Sequence, residues 1–192
     1  MIEQFKDYAT TQAYSDYPKL PKGGYVLTIM GVSQKINSMG KYLQIGMEIK
    51  EGENKDFFSN QYKNDQRSEK KWGCNFLLSI PKDDGSEKDG WTKRSFKTFT
   101  EALEDSNSNY HFDWDETKWK GLEIGGLFNE REYTKNDGSI GRVTNLKKIC
   151  ASEKIRKGDY TLPEDDLLEK STNSDTGFLN VDPGIQEELP FN

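Results

Sequence analysis

The chain has 192 residues, a formal net charge of −6 and a mean hydropathy of −0.94, with hydrophobic residues at 32%. That length suits one domain of ordinary size with extensions, and that composition keeps any core modest. No apolar run approaches the roughly 20 residues of a membrane span, and Met1-Ile2-Glu3-Gln4-Phe5-Lys6-Asp7 lacks the basic-then-apolar order of a secretion signal, so a soluble cytoplasmic protein is expected.

Residues 1–20 are polar and tyrosine-rich (Tyr8, Tyr14, Tyr17) and read as an N-terminal extension. A domain is expected over residues 21–160. Leu20-Pro21-Lys22-Gly23-Gly24 is a turn, and residues 25–32 form a first strand. Residues 34–40 read as a flexible loop. From Lys41 to Lys50 the alternation is strict: Leu43, Ile45, Met47 and Ile49 face one way, and Tyr42, Gln44, Gly46 and Glu48 the other, on a wet face. A third strand is expected at residues 56–63, with Phe57, Phe58 and Tyr62. A basic linker follows at 64–71, and a strand from Trp72 ends at Pro81. Residues 82–90 read as a charged loop. Phe96, Phe99 and Leu103 share one face of a helix expected over 92–105. Two last strands, at about 121–133 and 139–151, flank Asn136-Asp137-Gly138, a turn that accepts the positive φ of a tight hairpin.

The expected fold is mainly β with one inserted helix. Strand order and helix position suit a five-stranded OB-like Greek-key barrel, which strong twist would close. Cys74 and Cys150 are far apart, fit no metal spacing and read as small buried hydrophobes.

Residues 161–192 hold eight acids and one base, Lys170, leaving +1 on residues 1–160. This stretch reads as a disordered acidic tail with an apolar tip, Glu187-Glu188-Leu189-Pro190-Phe191-Asn192. It is either a frayed terminus or a peptide ligand that docks its tip in a partner's pocket, and it could also mimic nucleic-acid phosphate. The tip resembles the acidic tail of bacterial single-stranded-DNA-binding proteins, which closes on Pro-Phe; here Asn192 follows the Phe.

Trp72-Gly73-Cys74-Asn75-Phe76, Ile80-Pro81-Lys82-Asp83-Asp84-Gly85, the run from Asp105 to Asp115, Trp119-Lys120-Gly121 and Glu132-Tyr133-Thr134-Lys135-Asn136-Asp137-Gly138 together resemble a family of small phage and prophage proteins. They occur in replication and recombination modules of phages of Gram-positive bacteria. The resemblance covers residues 20–165 and implies an OB-like single-stranded-DNA-binding protein acting in the cytoplasm of a bacterial host.

An OB barrel binds single strands on the face of strands two and three and in the adjoining loops, with cations for phosphates and flat rings for bases. Those places would hold Lys35, Lys41 and Tyr42; Phe58, Asn60, Tyr62 and Lys63; and Tyr133, Lys135 and Arg142. Arg67, Lys70, Lys71 and Trp72 add a basic-aromatic cluster, and Lys147 and Lys148 follow Arg142 along the last strand. Each aromatic taken alone fits core packing equally well, and each lysine a solvated surface. His111, Asp113, Asp115 and Glu116 form the one cluster that raises a metal-nuclease reading. A helix start with Asp113 or Asp115 as cap, and Trp114 and Trp119 in the core, fits it better. No phosphate-cradling loop and no activated nucleophile is apparent.

The reading is a non-catalytic single-stranded-DNA-binding protein without cofactor, whose tail recruits a replication or recombination protein. The same barrel used as a protein adaptor with weak DNA affinity is the alternative. Oligomeric state stays open, a homo-oligomer included.

Overall fold

The computed structural model describes residues 3, 6–9, 18–38 and 40–168, so the tip at Glu187, Glu188, Leu189, Pro190 and Phe191 lies outside the described residues. A long hairpin, β1 (Gly23–Asn37) and β2 (Gly40–Ile49), is followed by α1 (Phe57–Asn64), β3 (Asn75–Ser79) and α2 (Glu87–Ser106). A 3-10 turn at Glu116–Trp119, a second hairpin of β4 (Glu123–Thr134) and β5 (Ile140–Cys150), and α3 (Ser152–Lys157) complete the order. The strands make one antiparallel sheet in the order β3-β2-β1-β4-β5. Its outer strands, β3 and β5, do not pair, so the sheet is open where a closed barrel was expected.

The alternation on β2 sets the core. Leu43 is 3% exposed, and Ile45, Met47 and Ile49 are fully buried. They meet Leu27 and Ile29 of β1 and Leu78 of β3. Phe99 and Leu103 of α2, Trp119, Phe128 of β4 and Phe58 of α1 cover them. Burying each such side chain stabilises by about 1.5–3 kcal/mol relative to exposure. Cys74 is buried, Cys150 half-buried, and both are free.

Four expectations are corrected. The third strand expected at 56–63 is helix α1. Glu48 makes it so: its carboxylate accepts the N–H of Phe58 at 3.1 Å and of Ser59 at 2.6 Å, supplying acceptors for a first turn that has no side-chain cap of its own. Glu48 is therefore 4% exposed rather than on a wet face. The loop expected at 34–40 is mostly strand: β1 runs to Asn37, whose Oδ1 accepts the Gly40 N–H, and Gly40 takes φ 133°, which favours glycine. Helix α2 starts five residues before the expected 92, because Ser86 caps it by accepting from the Asp89 N–H.

The acidic tail was expected to leave the body at 161, but the chain stays on the sheet through 168. Pairing of β1 with β4 stops at Gly23 opposite Phe128. Beyond it Asp166 takes the vacant side of β4 in a parallel bridge to Arg131: the Glu132 N–H donates to the Asp166 carbonyl and the Asp166 N–H to that of Glu130, both at 2.8 Å. Fully buried Asn129 donates its amide to the Glu164 carbonyl at 2.7 Å. No helix among the described residues is long and apolar enough to cross a membrane.

Candidate nucleic-acid interface

Strand pleating turns Tyr42, Gln44 and Gly46 of β2 away from the core, and the register fixes their neighbours. Tyr42 lies between Lys35 of β1 and Ser79 of β3; Gln44 lies between Ser33 and Leu77; Gly46 lies between Gly31 and Asn75. Directly opposed residues sit close enough for their side chains to interact. The Gln44 amide donates to Asn75 Oδ1 at 3.1 Å, and the Asn75 amide donates to the Trp72 carbonyl at 2.7 Å.

The absent side chain of Gly46 leaves room for an indole: a Cβ there would stand 3.7 Å from Trp72 Cδ1. The Trp72 Nε1–H donates to the Met47 carbonyl at 2.8 Å and fixes the ring. Tyr62 of α1 lies 5.7 Å from it, ring centre to ring centre, and the Lys70 ammonium stands 5.5 Å over the Tyr62 ring. Tyr62 and Leu77 are 39% and 40% exposed. The resulting strip runs from Lys35 and Tyr42 to Trp72 and Tyr62. Glu48, the one acid in this alternating set, is withdrawn into the N-terminus of α1. Lys35, Lys41, Lys63 and Lys71 are exposed around the strip, and none forms an ion pair among the described residues.

The other expected residues lie elsewhere. Phe58 is core, 5% exposed and stacked on Phe128, so it is no base platform. Asn60 lines a small groove with Pro18, Asn54, Phe57 and Gln61. Arg67 grips Asp65 with Nε and Nη2, which holds the Asp65 carboxyl down at about 2. Tyr133, Lys135 and Arg142 belong to the second hairpin. Since β4 runs antiparallel to β1, the two hairpin turns point in opposite directions along that pair. There Tyr133 lays its ring over Gly141, and Arg142 Nη2 binds Glu132 at 2.8 Å. Lys147 binds both carboxylate oxygens of Asp166 at 2.9 Å, and Lys22 binds Asp165 at 2.7 Å. Sequence reading missed Gln44, Asn75 and Leu77 as lining; alternation with Phe76 and Leu78 would have found the last two.

The acidic cluster near His111 is tied up internally. His111 Nδ1 lies 2.9 Å from Glu104, Lys118 bonds Asp113 and reaches Asp115, and Asp115 caps the 3-10 turn through the Thr117 N–H. Among the described residues no group of three or more His, Cys, Asp or Glu is gathered for a metal ion. Trp119 is fully buried as expected, with its indole N–H on Tyr110 at 2.8 Å. Trp114, expected in the core, is 80% exposed instead, at φ 66°. That backbone costs a bulky residue on the order of 1–3 kcal/mol.

No protein-family model matches the chain, and no match is found among the curated proteins.

Proposed function

We propose that this protein is a non-catalytic single-stranded-DNA-binding protein of phage type that holds the strand across the outer face of β1, β2 and β3 and acts in replication or recombination. The carrying observation is the strip itself: Tyr42, Trp72 and Tyr62 lie together with Lys35, which forms no ion pair among the described residues, and Glu48, the acid of the alternating set on β2, is turned away. Rings supply stacking and lysines supply phosphate contacts. Strand order 3-2-1-4-5, with α2 between β3 and β4, supports an OB-type barrel whose closing pair is open. The small charge of residues 1–160 fits few phosphate contacts and a modest salt dependence. Residues 169–192 would serve as the peptide that recruits a replication or recombination protein.

Titration with oligo-dT and with duplex DNA, followed by tryptophan and tyrosine quenching at low and high salt, tests the reading. A single strand should bind more tightly, because duplex bases are already stacked on each other. Equal affinity for both at the same salt rules this account out.

A further inference from the structure

Two of the chain's indoles stand in solvent on the N-terminal half of α2, outside the strip. Trp91 is 65% exposed and Trp114 is 80% exposed. Neither is loose. The Trp114 ring stacks on Phe96 with an interplanar angle of 12° and ring centres 6.3 Å apart, and Phe112 flanks it at 5.1 Å. Lys118 reaches both Asp113 and Asp115, the residues on either side of Trp114, and so holds the turn that points the indole outward. The Arg94 guanidinium lies 5.5 Å over the Trp91 ring. Trp91 and Phe96 are five residues apart, about 140° around the helix at 3.6 residues per turn, so the two indoles flank α2 rather than stack on each other.

This part of α2 adjoins the strip. The Ile80 N–H donates to the Lys41 carbonyl at 3.0 Å, which carries the chain from β3 past the tip of the first hairpin. The Lys82 side chain lies against Gly40, with Cε 2.9 Å from where a Cβ would be. Asp89, near the start of α2, accepts the N–H groups of Lys82 and Asp83 and ties this loop to the helix. Lys41, Lys82, Lys88 and Arg94 along this route form no ion pair among the described residues, whereas Asp83 and Asp89 are both bound by Lys93. The route from the strip to the indoles thus offers Lys41, Lys82 and Lys88 without ion pairs among the described residues, with Asp84 and Glu87 beside them; the three ammonium groups suit a phosphate backbone.

We infer that a single strand leaving the strip continues past Lys41 and Lys82 onto the N-terminal half of α2, where Trp91 and Trp114 form a second stacking surface for its bases. This rests on the single-strand reading of the β face. It makes the binding site longer than that face and assigns the exposed indoles to nucleic acid.

The test is a ladder of oligo-dT, from about 4 to about 20 nucleotides, the lower part of which spans the site sizes of single OB folds. It is titrated into the wild-type chain, Tyr42→Ala, and the pair Trp91→Ala/Trp114→Ala. The Trp pair should bind the shortest oligonucleotides like wild type and lose about 10-fold or more on the longest ones, the scale of one or two lost base stacks. Tyr42→Ala should weaken binding at every length. If the Trp pair binds long oligonucleotides as tightly as wild type while Tyr42→Ala weakens them, the inference is overturned and the β-face reading stands; the indoles then serve a protein partner. If the wild-type chain binds no oligonucleotide of any length, both fail. Because both indoles are exposed, an unchanged melting curve is expected for the Trp pair, and it separates lost contact from lost fold.

Discussion

On the first hairpin Lys35 stands opposite Tyr42 with no carboxylate against it among the described residues; on the second, Arg142 stands opposite Glu132 and is bound by it at 2.8 Å. The contrast extends beyond these pairs. Lys35, Lys41, Lys63 and Lys71 surround the first region without ion pairs among the described residues, while Lys147 and Lys22 in the second are held by Asp166 and Asp165. The same residue types therefore differ in what they can do. A phosphate reaching Lys35 displaces only counterions, which is the favourable step in binding a strand. A phosphate reaching Lys147 must first displace a chelating carboxylate, and little is gained. Counting cations in a sequence does not identify a binding face; their partners decide it.

The largest effect should come from the other side of β2. Leu43→Ala opens a cavity in the core and should cost about 2–5 kcal/mol in denaturant unfolding, whereas Tyr42→Ala, one residue earlier, should leave stability nearly unchanged. Reversed results would mean that the pleat is assigned to the wrong face.

The start of the second hairpin should also be acid-labile. The Arg156 guanidinium, with Lys50 and Ser152, holds the Glu123 carboxyl down at about 2 against an ordinary 4.5. A depressed folded-state pKa contributes stability that is present above the unfolded value and lost as pH falls from about 4.5 through about 2. Glu123→Gln should therefore cost on the order of 2 kcal/mol at neutral pH, and the difference should vanish as pH falls below about 2. Parallel unfolding curves for the two proteins at all pH values would remove this group from the account.

Truncation separates the strap, residues 164–168 beside β4, from the residues that follow it. Deleting 169–192 should leave the melting temperature unchanged. Deleting 161–192 also strips the Glu164 carbonyl from buried Asn129 and two backbone bonds from β4, and should cost about 1–3 kcal/mol. Equal melting curves would mean that the strap contributes nothing.

The smallest effect is in salt dependence. Lys35→Ala and Lys41→Ala should each lower the slope of log affinity against log salt by about 0.7, and Arg142→Ala should not change it.

Much of this was readable before the structure. Strict alternation from Leu43 to Ile49 marked the core face of β2, and Asn136-Asp137-Gly138 marked the second turn. Counting outward from that turn also puts Glu132 opposite Arg142, so their ion pair is legible in the sequence. Phe57, Phe58 and Tyr62 were ambiguous, because a short aromatic run has no decisive period; the helix there depends on Glu48, ten residues before Phe58. Lys147 and Asp166 meet only because the chain returns beside β4, which no local pattern announces. Trp114 reads as core by type, and it faces outward because of a positive φ and an ion pair with Lys118 on either side.

The central claim is that strand binding belongs to the first hairpin and β3, not to the second hairpin. Side-by-side oligo-dT titration of Lys35→Ala/Tyr42→Ala and Lys135→Ala/Arg142→Ala tests it most directly. The first pair should bind about 10- to 100-fold more weakly than wild type, the scale of one lost stack plus one lost phosphate contact, and the second pair should bind like wild type. Equal losses in the two, or a loss confined to the second, would contradict the account.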